Sequence, residues 1–215
     1  MKKPTFLYSF VIFSIKIIFK IFYRHKVYGV EHYPEGSGLV APNHVSFFDP
    51  PCIAISCPGE IHFLARSSLF KSYFGKFITA LNSHPVKQNA TNLQVMKDVC
   101  LLLKEGHKIL IFPEGTRSKD NKLLKIKPGM GLLLSKSESV IIPTYIHGTF
   151  EVWNRDRKFP KLWGKTAVVF GSPIRWEDYA DMERKEAQKL IAEKLTNALK
   201  ALRKWYEEGH QGPPP

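Results

Sequence analysis

Apolar and polar positions fall into blocks along the chain, and the blocks read as a succession of helix-like and strand-like segments. Residues 5–23 are almost wholly apolar or aromatic, and as a helix rising about 1.5 Å per residue they would roughly match a bilayer core. Lys16 and Lys20 interrupt the run at a spacing that puts them on one helical face. A lysine in mid-span is costly unless it snorkels, and no small-residue cleavage site follows, because Tyr23, Arg24, His25 and Lys26 come next. The pattern predicts an amphipathic helix lying in one leaflet, with a core-packing helix as the competing reading.

Downstream, residues 26–29 read as a short strand and 34–38 (Pro-Glu-Gly-Ser-Gly) as a turn. Leu39-Val40-Ala41-Pro42 is a second strand, ending at Asn43 and His44. Asp49 followed by Pro50 predicts a helix start, with Asp49 as the cap. Strand patterns recur at 61–65, 108–113, 140–146 and 165–170, and helical spacing at 69–81 (interrupted by Gly75), 93–104, 129–135 and 183–207. The last of these carries Ala187, Leu190, Ile191, Leu195, Ala198, Leu202 and Trp205 on one side. Strands alternating with helices predict an α/β fold: a single domain with a central mixed sheet flanked by helices, plus the N-terminal membrane-associated amphipathic helix. The boundaries expected are 1–25 for that helix, 26–208 for the domain and 209–215 for a disordered tail. Ligands of such sheets sit beyond the carboxyl ends of the strands, and the loops at His44 and Glu114 both follow strand-like runs, so one rim could hold both.

Composition narrows the partners. The 215 residues carry 32 Lys and Arg against 19 Asp and Glu, a formal charge of +13 that favours a polyanion: nucleic acid, anionic lipid or a phosphorylated substrate. No zinc-finger spacing, RNA-binding aromatic signature or basic helix with heptads accompanies that charge, so nucleic acid is not expected. Cys52, Cys57 and Cys100 are odd in number and lack metal-ligand spacing, which points to a reducing compartment without disulfide scaffold or structural zinc.

Two segments carry candidate chemistry. In Asn43-His44-Val45-Ser46-Phe47-Phe48-Asp49 an imidazole near neutral pKa could move a proton, with Asp49 folded back to hold its tautomer. Ser46 lies between them as a candidate nucleophile for a covalent route. In Phe112-Pro113-Glu114-Gly115-Thr116-Arg117-Ser118 an arginine fork, a glycine-opened backbone and two hydroxyls suit a phosphate monoester, with Lys125 and Lys127 close behind. Singly, each could be structural: a histidine beside a capping aspartate, and a polar turn after a strand.

Taken together, N-H-x-x-x-x-D at 43–49, F-P-E-G-T-R-S at 112–118 and Val140-Ile141-Ile142-Pro143 resemble the glycerolipid acyltransferases, specifically the 1-acyl-glycerol-3-phosphate (lysophosphatidic acid) acyltransferases. Ser68-Leu69-Phe70-Lys71 with Phe74-Gly75 resembles the family's second block. The resemblance implies transfer of a fatty acyl group from a thioester to the sn-2 hydroxyl of lysophosphatidic acid, giving phosphatidic acid. It implies His44 as general base oriented by Asp49, and Glu114, Gly115, Thr116 and Arg117 as binders of the acceptor phosphate. No metal or cofactor is implied; acyl-CoA or acyl carrier protein (ACP) enters as co-substrate, with membrane lipids, and ACP itself, as partners. The implied location is the cytoplasmic face of a membrane, monotopic or through a single N-terminal span.

One departure bears on specificity. The family's phosphate-holding arginine in the second block is matched by Gln88, leaving Lys87 or Arg66 to supply the charge, and a lysine is a point charge instead of a bidentate fork. The alternatives are therefore a sister enzyme acylating glycerol-3-phosphate or another lysophospholipid, and a non-catalytic lipid-binding scaffold. A hydrolase is disfavoured by the lack of a G-x-S-x-G elbow.

Overall fold

The computed structural model describes residues 5–86, 92–127 and 129–215. Short apolar runs of β-branched and leucine residues become strands β1 (Lys26–Tyr28), β2 (Gly38–Pro42), β3 (His62–Arg66), β4 (Ser83–Val86), β5 (Lys108–Leu110), β6 (Val140–His147), β7 (Ala167–Phe170) and β8 (Ile174–Arg175). They form one mixed sheet in the order β1-β7-β6-β2-β5-β3-β4, with β8 beside β6. The strands from β6 through β2, β5 and β3 to β4 run parallel, while β7 and β8 pair antiparallel with β6. This is the mixed α/β class the alternating pattern predicts.

The sheet is covered on both faces, which explains why its strands read as continuous apolar runs and not as alternations. Leu39, Ala41, Ile109 and Ile141 point to one side, under α4 (Asn92–Lys104), α5 (Gly129–Ser137) and α7 (Arg184–Glu207). Val40, Leu110, Ile142, Ile146 and Val168 point to the other, under α1 (Phe6–Tyr23) and α2 (Asp49–Ser56). Neighbouring residues such as Leu39 and Val40, or Ile141 and Ile142, thus serve opposite cores, as the period of a strand dictates. In α7 the predicted stripe is realised in part: Ala187, Ile191, Leu195 and Leu202 are buried and Ala198 and Trp205 half-buried, whereas Leu190 is exposed and Leu199, outside the predicted stripe, is buried. The Glu183 side chain caps the N-terminus by accepting from the Lys185 and Glu186 N–H groups.

Helix α1 is long and apolar enough to cross a membrane, yet it also has an inner stripe. Tyr8, Phe19 and Tyr23 are buried, with Ile12, Ile15 and Phe22 packed on the α2-side core. The Ile61 N–H donates to the Tyr8 hydroxyl at 3.2 Å, and Phe19 and Tyr23 meet the Phe48 ring at 5.3 and 5.4 Å. The helix therefore lies along the domain for most of its length. Its outer side presents Phe6, Phe10, Phe13, Ile17 and Ile21 to the surroundings, with Lys16 and Lys20 also exposed.

Several elements differ from expectation. The strand expected over 108–113 stops at Leu110, because residues 111–113 turn into the polar loop. The single helix expected over 69–81 is a 3-10 turn, Ser67–Lys71, followed by α3 (Tyr73–Ala80). Strands β4 and β8 and the short α6 (Thr149–Trp153) are additional. Residues 209–215, expected to fray, lie against the domain: Trp205 Nε1 donates to the Gln211 carbonyl, Ser172 N–H donates to that of Pro215, and Pro214 is buried. These contacts explain why the segment does not splay away from α7.

Candidate active site

The parallel strands β2 and β5 are neighbours, so the polar loops leaving their carboxyl ends share one rim. After β2, Asn43 locks the chain to the central strand β6. Its amide donates to the Ile146 carbonyl at 3.1 Å and accepts from the Ile146 N–H at 2.7 Å. His44 then projects from the rim with its ring stacked 3.7 Å from that of Phe112. Ser118 N–H donates to the His44 carbonyl at 2.8 Å and ties the two loops together.

His44 Nδ1 lies 2.7 Å from Asp49 Oδ2, so the sequence pair is a contact pair. Asp49 is fully buried and accepts from several directions. Oδ2 also takes the N–H groups of Val45 and Ser46 at 2.7 and 2.8 Å, and Oδ1 takes the Thr149 hydroxyl at 2.7 Å. The expectation that Asp49 caps its helix is corrected here: it is the first residue of α2, with no capping hydrogen bond from its side chain. The physical reason is geometric, since a carboxylate turned back to satisfy the tight 44–46 turn cannot also face the α2 amides. Pro50 at the helix start lacks an N–H and so relieves the need for a cap. Nδ1–H donating to a fixed carboxylate leaves Nε2 as the basic nitrogen, and Nε2 makes no hydrogen bond among the described residues.

Ser46 is buried, donates to the Trp153 carbonyl at 2.6 Å and accepts from the Phe48 N–H at 3.0 Å. It fastens the loop to α6 and does not face His44 as a nucleophile would.

Thr149 is the residue the sequence reading missed. It sits beneath Asp49 because Gly148 takes φ +80° and packs so tightly that a Cβ there would lie 1.8 Å from the Lys165 carbonyl oxygen. The visible signal was a glycine directly after a buried strand; the partner, 100 positions away, was not visible. Replacing Thr149 with valine should lower stability by about 1.5–3 kcal/mol, the range for a hydrogen bond to a charged group. Urea unfolding of the variant against the parent measures this directly.

The second loop brings Glu114, Gly115, Thr116 and Arg117 to the same rim. Gly115 turns with φ +71°, and the Lys127 side chain lies across its Cα where a Cβ would collide, so of the two following lysines Lys127 joins the turn. Lys125 instead lines a groove against α7. Arg117 lies over the Phe47 ring at 3.7 Å with Nη1 buried and without a hydrogen-bond partner among the described residues. Burial lowers its pKa, and the nearby Arg155 and Arg66 push the same way while Asp49 opposes them. Arg66, at the carboxyl end of β3, thus joins the rim, and Arg155, unread in the sequence, is a further cation there. A buried guanidinium edge without an acceptor among the described residues, with two more guanidinium groups within electrostatic reach, suits an incoming phosphate. Lys87 and Gln88 lie outside the described residues.

The Glu114 carboxyl is buried with neither oxygen in a well-formed hydrogen bond. Burial raises its pKa from 4.5 to about 7, with Asp49 adding to the rise and the backbone amides near Leu124 and His44 opposing it. The native state therefore keeps a proton that the unfolded chain releases, and stability should fall as pH rises from 4.5 to about 7 and then level off. Glu114→Gln should gain up to roughly 3 kcal/mol over the parent at pH 8 and almost nothing at pH 4, read from denaturant unfolding at both pH values.

Among the described residues no group of His, Cys, Asp and Glu is arranged to hold a metal ion. The rim thus brings together an imidazole held by a buried carboxylate and a guanidinium with an unpartnered edge, an arrangement that could move a proton beside a bound anion.

Residues 24–147 match the acyltransferase family, and the chain belongs to it. It is 27% identical over 199 residues to a 1-acyl-sn-glycerol-3-phosphate acyltransferase of Bacillus subtilis, covering 91% of this chain and 96% of that one. It is 28% identical over 179 residues to the chloroplastic 1-acyl-sn-glycerol-3-phosphate acyltransferase LPAT1 of Arabidopsis thaliana, covering 81% of this chain but only 50% of the plant protein. Among solved structures, the 1-acyl-sn-glycerophosphate acyltransferase PlsC of Thermotoga maritima superposes with a TM-score of 0.69 at 25% identity, over 88% of this chain and 80% of that one.

Proposed function

We propose that the protein transfers a fatty acyl group from a thioester of coenzyme A or ACP to the sn-2 hydroxyl of lysophosphatidic acid, forming phosphatidic acid. The observation that carries this reading is the His44–Asp49 pair on the same rim as Arg117, whose buried Nη1 has no hydrogen-bond partner among the described residues. The activities named for the bacterial and plant relatives support it.

The acceptor hydroxyl is a weak nucleophile with a high pKa, so removing its proton as it attacks lowers the barrier. The acceptor phosphate binds Arg117 with help from Arg66, Lys127 and the Glu114–Thr116 backbone, which holds the hydroxyl at His44. Nε2 accepts the hydroxyl proton while Asp49 steadies the resulting imidazolium through Nδ1–H. The new C–O bond forms at the thioester carbonyl. The tetrahedral intermediate collapses by breaking the C–S bond, and the thiolate recovers the proton from His44. Ser46 stays a structural hydroxyl and no acyl-enzyme forms.

Helix α1 anchors the enzyme. A spanning helix would have to leave the domain, whereas α1 packs along it from Tyr8 to Tyr23; the reading favoured is a monotopic protein with the outer stripe of α1 in one leaflet. The free thiols of Cys52, Cys57 and Cys100 favour the cytoplasmic side.

Purified protein in mixed micelles, given an acyl thioester and in parallel lysophosphatidic acid, glycerol-3-phosphate and lysophosphatidylcholine, tests the reading. Product is expected from lysophosphatidic acid alone. Transfer to another acceptor would keep the chemistry and change the substrate; no transfer with either donor would remove the reading.

A further inference from the structure

A second exposed apolar cluster lies beside α1, in the loop between α6 and β7. Residues 155–165 read Arg-Asp-Arg-Lys-Phe-Pro-Lys-Leu-Trp-Gly-Lys, five cations against one acid. Phe159, Leu162 and Trp163 are 69%, 64% and 62% exposed. Such a loop would ordinarily fold these side chains inward or move freely, but this one is held in place. Lys161 N–H donates to the Val152 carbonyl, Trp153 Nε1 to that of Arg157, and the Tyr23 hydroxyl to that of Lys161. Gly164 N–H donates to the Phe22 carbonyl, and the Trp163 ring meets that of Phe22 at 4.9 Å with the planes tilted by 34°. The loop is therefore fastened to the carboxyl-terminal end of α1 with its apolar tips turned out. It is also joined to the active-site rim, because the Trp153 carbonyl accepts from Ser46 and Phe47.

We propose that residues 155–163 form a second membrane-docking element, which seats in the headgroup layer of an anionic leaflet. Aromatic and leucine tips interleaved with lysine suit that layer: the rings and the leucine take the acyl boundary while the ammonium groups meet phosphates. Lys158 lies 5.5 Å over the Phe159 ring, which keeps its charge beside the apolar tip. Two anchors, the outer stripe of α1 and this loop, fix the orientation of the protein, whereas a single helix leaves it free to roll about its axis. The orientation they fix turns the rim carrying His44 and Phe47 toward the lipid.

The proposal rests on the membrane reading of α1, and its test separates the two. Flotation with phosphatidylcholine vesicles, with and without phosphatidylglycerol, is compared for the parent, Phe159→Ser with Leu162→Ser, Lys158→Gln with Lys161→Gln, and Phe10→Ser with Phe13→Ser in α1. The apolar loop pair is expected to weaken binding to both vesicle types about tenfold or more. The lysine pair should weaken binding roughly twentyfold on the anionic vesicles only. All of these side chains are exposed, and a circular dichroism spectrum matching the parent's shows that the fold persists. Trp163→Phe, which keeps a ring on Phe22, should lose quenching by brominated lipids that the parent displays. Loss of binding in the loop variants with the α1 pair unaffected would uphold the loop and remove α1 as an anchor. Loss in the α1 pair with both loop variants binding like the parent would overturn the proposal. So would loop variants that change only the oligomeric state, since the tips would then meet a second copy of the chain.

Discussion

His44→Ala is expected to lower kcat for phosphatidic acid formation by about 10³-fold, within the range that a positioned general base supplies. That loss corresponds to about 4 kcal/mol of barrier. The effect should fall on kcat and leave the Michaelis constant for either substrate near that of the parent, because the proposed binding of the acceptor phosphate lies on the opposite loop. The fold should survive, since the His44 ring is partly exposed and its backbone carbonyl keeps its bond from Ser118. Asp49→Asn would be a less clean variant. Asp49 satisfies two backbone amides and the Thr149 hydroxyl as well as His44, so an amide there must keep its oxygen on three N–H donors and make the Thr149 hydroxyl reverse from donor to acceptor. Steady-state kinetics with both substrates varied would show the split; an unchanged kcat for His44→Ala would remove it from the mechanism.

The second large effect is expected at Arg117. Arg117→Ala should raise the Michaelis constant for the phosphorylated acceptor by about ten- to a hundredfold, the equivalent of one or two charge-assisted hydrogen bonds lost. The constant for the thioester should change little. Arg66 and Arg155 stand close enough to act on Arg117 electrostatically, so part of the anion field remains and binding is weakened, not abolished. Arg117→Lys should recover part of the loss, because charge is restored but not the planar fork that spans two phosphate oxygens. Added salt should also raise the acceptor constant in the parent, more steeply than in Arg117→Ala. An effect confined to the thioester would mean that the 114–117 loop serves the donor.

What the sequence disclosed and what it hid follow from the range of the forces involved. The strands β2, β5 and β6 were legible because burial on both faces makes every position apolar, and α7 because a surface helix keeps an uninterrupted stripe. The His44–Asp49 contact was legible because the two residues are local and one turn can join them. Thr149 and Asn43 were not legible as supports, since each acts on a partner some 100 positions away and neither changes the local pattern. Strand β4 carries Pro85 and His84, and only its neighbour β3 gives it a reason to be extended. Helix α6 is too short to show a period. The local preference of an aspartate before proline is to cap the helix. The tight 44–46 turn competed for the same oxygens and took them.

The most direct test of the account is a single-turnover reaction. Lysophosphatidic acid and an acyl thioester are mixed with excess parent protein or His44→Ala, both bound to vesicles to the same extent, and phosphatidic acid is counted over time. The account predicts rapid, stoichiometric phosphatidic acid from the parent and a rate at least about a hundredfold lower from the variant. Equal rates from the two proteins, or no phosphatidic acid from the parent with either a coenzyme A or a carrier-protein thioester, would contradict it.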